Sequence, residues 1–368
     1  MRKRDAALSA GAGVGLLVVR ELVGRAREID LTGRTVLIVG ASRGLGMLMA
    51  RRFAAEGARV AVCARDPGEL ERARAWLADA GYDVLAIPCD AGDEEQVQRL
   101  MERVDGALGS VEVLVNNAAQ MDVGEVRLMS VDDFRQAHSS IFWAALLPTL
   151  AVLPGMRERG EGRIVNIASI GGRLPGPHLA PYTAAKYAVV GLSEVLRVEL
   201  RKYGIAVTTV IPWFMRTGSY FGGMYRPPAD AEFRWFALAA SLPLLSVDPD
   251  RAAARIVRAA KRGETDVAVG WLSWLAQRFH GLFPGVTADV AGLVDRLMLP
   301  KAPAANALPG GDNRAAVRGE LLDARLPAPL EVATSLGRAA ADRLNERRGP
   351  GPADELRAAE PTLAEPPA

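Results

Sequence analysis

Histidine and cysteine are scarce in this sequence. Its 368 residues include 3 histidines, at positions 138, 178 and 280, and 2 cysteines. Neither Cys63 nor Cys89 has the spacing of a metal-binding motif, and both lie in apolar, strand-like runs. We therefore predict no metal centre and two reduced cysteines in the core.

An excess of charge of one sign is also absent. Lys and Arg together number 45 and Asp and Glu 43, which gives a net charge of +2. This balance gives no basic footprint for a nucleic acid, which we exclude as a partner. Apolar residues make up 49% and charged residues 24%, as in ordinary globular proteins, and the length allows one large domain or two small ones.

The N-terminal apolar run is too short to span a membrane. Arg2-Lys3-Arg4 precede a glycine-rich run from Ala6 to Val19, and these 14 residues cannot cross ~30 Å of hydrocarbon as a helix. Residues 1–30 are predicted to form an arm, either a loosely ordered amphipathic segment or a contact with the cytoplasmic face of a membrane. The expected location is cytoplasmic, with peripheral membrane attachment through the arm as an alternative.

Short apolar runs alternate with helical periodicity from Arg34 onwards. Such alternation predicts an α/β fold with a doubly wound parallel sheet, in one domain over about residues 31–300. A helix is predicted over Asp248–Arg262. The predicted strands are Thr35–Val39, Arg59–Cys63, Val84–Pro88, Val111–Val115, Arg163–Ile167, Val207–Ile211 and Thr265–Val269.

Two segments inside the domain interrupt this alternation. Residues 219–246 are rich in aromatic side chains, which predicts a lid over an apolar substrate, although packing against the domain explains them equally well. Residues 271–299 are apolar and aromatic, and could finish the core, form a subunit interface or touch a membrane.

The C-terminal composition changes at Lys301. Residues 301–368 consist largely of Ala, Pro, Gly, Arg and Glu and contain no aromatic residue. Such a segment buries too little apolar surface to offset the cost of ordering. It is predicted to be a mostly disordered tail, with a short helix near Leu336–Arg347.

A glycine-rich turn joins the first predicted strand to the helix that follows it. Glycines at such a turn let the backbone approach a pyrophosphate, and the helix N-terminus supplies free N–H groups and a positive dipole end. The turn therefore predicts a dinucleotide-binding loop. Its candidate binding residues are Gly40, Ser42, Arg43, Gly44, Leu45 and Gly46.

A second candidate site combines a serine, a tyrosine and a lysine. Tyr182 and Lys186 are four residues apart in a helical pattern and so share a helix face. A free tyrosine titrates near pH ~10, and a neighbouring ammonium group is expected to lower its pKa. Ser169, at the end of a predicted strand, could offer its hydroxyl to the same reacting oxygen. This set suits carbonyl reduction or alcohol oxidation, although a lone Tyr-x-x-x-Lys is common by chance.

The order and spacing of these motifs resemble the short-chain dehydrogenase/reductase family over about residues 31–270. The loop reads Gly-x-x-x-Gly-x-Gly, Asn116-Asn117-Ala118-Ala119 resembles the family's Asn-Asn-Ala-Gly, and Ser169 and Tyr182 are 13 apart. The resemblance implies a Rossmann-like oxidoreductase that acts on CH–OH groups with NAD(P). Tyr182 would protonate the carbonyl oxygen and Ser169 polarise it, while Lys186 would lower the pKa of Tyr182 and hold the nicotinamide ribose.

The resemblance also assigns further cofactor contacts. Asp90 would meet the adenine, Asn117 would border the cofactor, and Pro212 and Thr217 would lie near the nicotinamide. Ala64 stands where a carboxylate would repel a 2′-phosphate, with Arg65 next to it and Arg43 in the loop. We therefore predict NADP(H) rather than NAD(H).

Four positions depart from the family pattern. Val39 and Ala119 are mild changes, whereas Trp213 replaces a glycine beside the nicotinamide. Ile141 replaces an Asn that holds a water behind the lysine, and His138, Ser139 and Ser140 are predicted to be packing or surface residues instead. These departures leave a second reading open, an NADP(H)-binding sensor or scaffold of the same fold that has lost catalysis.

The resemblance implies a homodimer or homotetramer, because family members often pair through the helix that carries the tyrosine and the helix before it. The C-terminal extension could block the tetramer. The expected partner is a small carbonyl or alcohol substrate.

Overall fold

The computed structural model describes residues 24–302 and 316–347. At its centre lies a seven-stranded parallel sheet with the order β3-β2-β1-β4-β6-β7-β9. The strands are β1 Thr35–Val39, β2 Arg59–Ala64, β3 Leu85–Pro88, β4 Val113–Asn116, β6 Gly162–Ile167, β7 Ile205–Pro212 and β9 Asp266–Val269. All seven predicted strands belong to this sheet, so the predicted fold class is confirmed. The predictions for residues 1–23 lie outside the described residues.

The sheet is covered on both faces because its strands are apolar throughout. Alternate residues of β1 point to opposite sides, and all five are buried. Val36 and Ile38 join one hydrophobic cluster, whereas Leu37 and Val39 join the other. This burial on both faces produces the continuous apolar runs that predicted the strands.

Helices form a layer on each face of the sheet. Gly44–Ala55 (α1) and Pro249–Arg262 (α8) pack together on one face. On the other face lie Glu94–Leu108 (α3), Ala144–Arg159 (α5) and Ala180–Leu200 (α6). The remaining named helices are Pro67–Asp79 (α2), Val131–Ala137 (α4), Ala229–Ser241 (α7), Trp271–Leu282 (α9), Pro284–Met298 (α10), Gly319–Asp323 (α11), Ala328–Ala333 (α12) and Ser335–Arg343 (α13).

One helical run is long and apolar enough to cross a membrane by length and composition alone. Among the described residues this is Val131–Arg159, which includes α4, α5 and the π-helical turn His138–Trp143 between them. Its α5 part packs against β4 and β6 of the central sheet. This position is that of a core helix.

The predicted lid region combines an aromatic core with a small second sheet. Tyr220, Tyr225 and Phe233 are fully buried against one another. The sheet has the order β10-β8-β5, formed by Val317–Arg318, Met224–Tyr225 and Asp122–Val123. Most of the aromatic side chains predicted to cover a substrate thus pack against their own neighbours.

The expectation of a mostly disordered tail is wrong for residues 316–347. This segment supplies β10 and the helices α11, α12 and α13. Leu322 and Ala341 are buried in the aromatic core of the lid, and Leu344 is buried against the central sheet layer. Composition failed to predict this order because the apolar partners of the tail lie elsewhere in the chain. The predicted short helix near Leu336–Arg347 corresponds to α13.

The helices α9 and α10 form an exposed apolar hairpin. Buried positions are rare within this hairpin. Ser273 is fully buried, and its hydroxyl donates a hydrogen bond to the Ile211 carbonyl. Large side chains such as Trp271, Leu282 and Met298 are exposed. This outcome excludes the core from the alternatives predicted for residues 271–299.

Candidate active site

A cavity of about 1120 Å³ opens along the carboxyl-terminal edge of the sheet. Because β1, β2, β4, β6 and β7 are parallel, the residues that follow them meet at this edge. The cavity is lined by these predicted site residues: Gly40, Ser42, Arg43, Leu45, Arg65, Asp90, Asn117, Ser169, Tyr182, Lys186, Pro212 and Thr217. The structure therefore brings together residues that are up to 177 positions apart in the sequence.

The glycine loop, residues 40–46, owes its glycines to close backbone packing. Gly40 has φ of 79°, and a Cβ there would lie 2.5 Å from the Ala118 Cα. A Cβ at Gly46 would clash with the Gly40 carbonyl oxygen. Gly44 and Gly46 are not among the residues that line the cavity, and they shape the loop through the backbone.

Two asparagines after β4 hold the loop and the sheet together. The Asn117 side chain donates a hydrogen bond to the Gly40 carbonyl at 2.6 Å. The Asn116 side chain is buried and donates to the Asn166 side chain at 2.8 Å. Asn117 thus both lines the cavity and fixes the loop.

Ser169, Tyr182 and Lys186 converge on the cavity wall. Ser169 follows β6, and its Oγ accepts a hydrogen bond from the Gly171 backbone N–H at 3.1 Å. Tyr182 lies in the first turn of α6, and Lys186 lies one turn later with its Nζ 5.7 Å from the Tyr182 ring centroid. The predicted juxtaposition of the three side chains is therefore present in the folded chain.

The expected effect of Lys186 on the tyrosine is not found. Burial raises the pKa of the Tyr182 phenol, and a hydrogen bond from Ser169 offsets only part of that rise. Lys186 has only 2% of its surface exposed, and burial lowers its own pKa to about 7. Since the ammonium group is itself destabilised, it is a weaker electrostatic partner than the sequence indicated. Its Nζ donates to the Ile167 carbonyl at 2.8 Å.

The position behind the lysine is apolar. Ile141 is buried in the π-helical turn and packs in a cluster with Ala185 and Val189 of α6. His138 Nδ1 lies 2.9 Å from the Phe134 carbonyl. Ser140 lines the cavity. An isoleucine has no group to hold a water, so the proton relay that the family pattern implies lacks its usual member at this position.

Two carboxylates that sequence reasoning missed surround Arg43. Its guanidinium lies 3.6 Å from Glu69 and 3.4 Å from Glu346, and both acids are buried and line the cavity. Arg43 Nη1 is nevertheless buried without a hydrogen-bond partner among the described residues. Glu69 lies in the first turn of α2, a few residues after the predicted Arg65. Glu346 belongs to the tail and had no signal in the sequence.

The cavity offers a dinucleotide both cationic donors and hydrogen-bond acceptors. Arg65 is exposed at the rim and donates to the Gln120 side chain at 3.0 Å, while Arg43 keeps an unused N–H group. Asp90 lies beyond β3 and accepts a hydrogen bond from the Gly92 N–H at 3.0 Å. Thr217 is buried in the cavity lining, and its hydroxyl oxygen accepts a hydrogen bond from the Ser219 N–H at 3.2 Å. The phosphates of a dinucleotide would bind near Arg43 and Arg65 at the glycine loop. Its nicotinamide would lie near Ser169, Tyr182 and Lys186.

The far end of the cavity is apolar. Trp213 and Phe214 pack edge to face with centroids 5.9 Å apart, and Trp235 and Phe236 line the same wall. Helix α10 contributes Val294. Trp213, which replaces the family's glycine, therefore does form part of this wall.

Known proteins resemble this chain in sequence and in fold. A family model described as short chain dehydrogenase matches residues 34–220. The chain belongs to the short-chain dehydrogenase/reductase family. It is therefore an oxidoreductase of a family that uses NAD(P)(H) and acts on small molecules.

Relatives within the family include a ketoacyl reductase, HetN of Nostoc sp., which is 35% identical over 50% of this chain and 64% of its own length. The dehydrogenase/reductase SDR family protein 7-like of Anopheles gambiae is 32% identical over 67% of this chain and 80% of its own length. A solved short-chain dehydrogenase/reductase of Burkholderia phymatum, in complex with NAD, has a TM-score of 0.65 and 24% identity, and covers 70% of this chain and 96% of its own. This last likeness shows the shared fold.

Proposed function

We propose that this protein is an NADP(H)-dependent enzyme that interconverts a carbonyl and an alcohol on an apolar substrate. The observation that carries the proposal is the convergence of Ser169, Tyr182 and Lys186 on a cavity that begins at the glycine loop. The same cavity thus joins a phosphate-binding end to a proton-donating end and an apolar end.

The side chains have separate tasks in the proposed reaction. A bound nicotinamide cofactor supplies or accepts the hydride. Tyr182 donates the proton to the substrate oxygen, and the Ser169 hydroxyl hydrogen-bonds to that oxygen. Lys186, buried one helical turn from Tyr182, is placed to hold the nicotinamide ribose.

Replacing the tyrosine tests the proposed chemistry. Tyr182→Phe removes the proton donor and keeps the ring, so we expect carbonyl-dependent NADPH oxidation to fall by about 10²–10⁴-fold. The matched control is Tyr203→Phe, since Tyr203 packs with Arg157 and Lys202 outside the cavity. Cofactor binding, measured by fluorescence titration, should survive in both. Unchanged turnover in Tyr182→Phe would remove this residue from the mechanism.

The preference for the 2′-phosphate rests on the rim of the cavity. Arg65 follows β2 directly after Ala64, which leaves the position without a carboxylate. The buried Glu69, near Arg43, acts against a phosphate, so Arg65 carries most of the preference. Arg65→Gln should weaken NADPH binding by about 10-fold and leave NADH binding unchanged, whereas Arg99→Gln on the exposed face of α3 should change neither. Equal loss for both cofactors would contradict the assignment.

The apolar end of the cavity supports an apolar acyl or alkyl substrate. Its wall is made by Trp213, Phe214 and Trp235 together with α10, and α10 also belongs to the exposed hairpin. A panel of ketones of increasing chain length, assayed with both NADPH and NADH, tests this point. We expect KM to fall as the chain lengthens. A preference for short, hydrophilic carbonyls would contradict it.

The hairpin and the N-terminal arm are proposed as peripheral contacts of a cytoplasmic protein with a membrane. Trp271, Leu282 and Met298 expose apolar surface on the hairpin. The test is sedimentation with liposomes of the full-length protein, a variant without residues 1–29 and a Leu282→Glu variant. Equal sedimentation of all three would exclude both contacts, and loss in one variant would assign the contact.

A further inference from the structure

The last described residues of the chain lie on the glycine loop. After α13 ends at Arg343, residues 344–347, here called the terminal segment, pass over the loop. The Leu344 carbonyl accepts a hydrogen bond from the Gly44 N–H at 2.9 Å. The Asn345 side chain donates to the carbonyls of Ser42 and Glu69, at 2.8 and 2.9 Å. The terminal segment is thus built onto the loop by several backbone contacts.

The terminal segment caps the N-terminus of α1. The side chain of the N-cap residue Arg43 makes no hydrogen bond to the first N–H groups of this helix. The Leu344 carbonyl accepts the hydrogen bond of the Gly44 N–H instead, and the Glu346 carboxylate lies so close that a Cβ added at Gly44 would clash with it. A free helix N-terminus attracts phosphate groups through these N–H groups and its dipole. A carboxylate there occupies the position in which a phosphate is expected to bind.

The Glu346 carboxylate also lies at the cofactor end of the cavity. It is only 4% exposed and lies 3.4 Å from the Arg43 guanidinium. Arg43 is one of the two cations expected to meet a phosphate. Burial raises the pKa of Glu346 to about 7, so above this pH the ionised group neutralises that cation and repels an anionic ligand.

We propose that the terminal segment is an internal competitor of the dinucleotide cofactor, and that its residues 345–347 must leave the glycine loop before the pyrophosphate can bind there. This inference rests on the proposed cofactor binding at the loop. In the docked state the segment holds the enzyme in a form with low cofactor affinity. Anything that draws the C-terminus away from the loop would raise that affinity.

The contacts allow the segment to leave without unfolding the helices before it. Helix α13 is anchored by the buried Ala340 and Ala341. The chain turns immediately afterwards at Asn345, which has φ of 58°, a conformation that favours a short polar residue or glycine. Beyond the turn the segment is held by polar contacts, including an ion pair between Arg347 and Asp323 at 2.8 Å. Residues 345–347 are therefore the part that is released, by a turn at Asn345, while the buried Leu344 keeps its place.

Two truncations of the full-length chain test the proposal. One variant lacks residues 345–368 and therefore loses Asn345 and Glu346. The matched control lacks residues 348–368 and keeps the whole terminal segment. We expect the shorter variant to bind NADPH at least about 10-fold more tightly than the full-length protein and the control, measured by fluorescence titration and calorimetry.

A point variant guards against misfolding of the truncated chain. Glu346→Lys places a cation beside Arg43 and should undock the segment in the full-length protein, with a similar gain in NADPH affinity. Hydrogen exchange at residues 345–347 should increase when NADPH is added to the wild type. Equal or weaker NADPH binding in both the truncation and the point variant would overturn the competition while leaving cofactor binding intact. Absence of NADPH and NADH binding in every variant would overturn the proposed function, and the competition with it.

Discussion

The side-chain amine of Lys186 is almost completely buried away from solvent. Burial lowers its pKa to about 7, so in the folded protein it releases its proton more easily than in the unfolded chain. Between about pH 7 and pH 10 the unfolded chain binds more protons at this residue than the folded one. The stability of the protein should therefore rise with pH across this range as the penalty disappears.

Replacing this lysine should stabilise the protein and inactivate it. Lys186→Met removes the buried charge, and we expect the free energy of unfolding at pH 7 to rise by about 1–3 kcal/mol while carbonyl reduction falls by about 10²-fold or more. Urea unfolding at pH 7 and pH 9 checks the sign, because the advantage of the variant should shrink as the pH rises. Lys202→Met, beside Tyr203 on the surface, is the control and should show neither effect. A variant less stable than the wild type at pH 7 would contradict this account.

At the level of single residues, the sequence predicted where the site side chains lie better than it predicted their burial and pKa values. The serine, tyrosine and lysine could be located because strand ends and helical spacing are local properties. The pKa of Tyr182 could not be predicted, since it depends on burial by residues from several elements. Glu69 and Glu346 were missed because an acidic residue in a helix or tail carries no signal until its contacts are known.

The lid depends on one aromatic core that joins α7, β8 and the tail. Phe233 of α7 is fully buried and contacts Tyr225 with centroids 5.3 Å apart and Tyr220 at 5.6 Å. A Cβ at Gly319 of α11 would come within 3.1 Å of the Phe233 ring. The order of the tail thus comes from these aromatic side chains rather than from its own composition.

Removing the central ring of the lid should loosen lid and tail together. Phe233→Ala leaves a cavity, and we expect a loss of about 3–5 kcal/mol in the free energy of unfolding. Limited proteolysis should then cut within both 219–246 and 316–347. Phe233→Leu keeps most of the volume and should retain the protease resistance. Cleavage confined to one of the two segments would show that they are not one unit.

The strands of the central sheet were predictable because each is an apolar run that is buried on both faces. The helices of the tail were not, because they are short and rich in alanine. Such helices gain stability mainly through packing partners that lie far away in the sequence. The pairing of Val317 with Tyr225 illustrates the point, since the two strands that meet there have only two residues each.

At the scale of the whole molecule, a second exposed apolar surface lies on α6, the helix that carries Tyr182. Val198 of α6 is 78% exposed, and Val195 and Tyr187 of the same helix are exposed as well. Leu150 of the preceding helix α5 is also exposed. This surface supports the proposal of a homodimer or homotetramer formed through these two helices.

A charge on that surface should change the oligomeric state. Val198→Lys would bury an ammonium group in the proposed interface, so for a protein that forms the proposed dimer or tetramer we expect a shift towards monomer in sedimentation velocity experiments. Val332→Lys is the matched control, because Val332 is 76% exposed on α12 and lies far from α6 in the sequence. Its sedimentation should equal that of the wild type. The same sedimentation coefficient for both variants would place the interface elsewhere.

The contact between Gly44 and Leu344 joins residues that are synthesised at different times. The two residues are 300 positions apart, so the loop leaves the ribosome long before the terminal segment that covers it. Domains generally begin to fold during synthesis, from the N-terminus onwards. The β1–loop–α1 unit and its neighbouring strands can therefore assemble, and meet a cofactor in the cell, before residue 344 has been translated. The order of synthesis itself would then give the cofactor the first opportunity to bind.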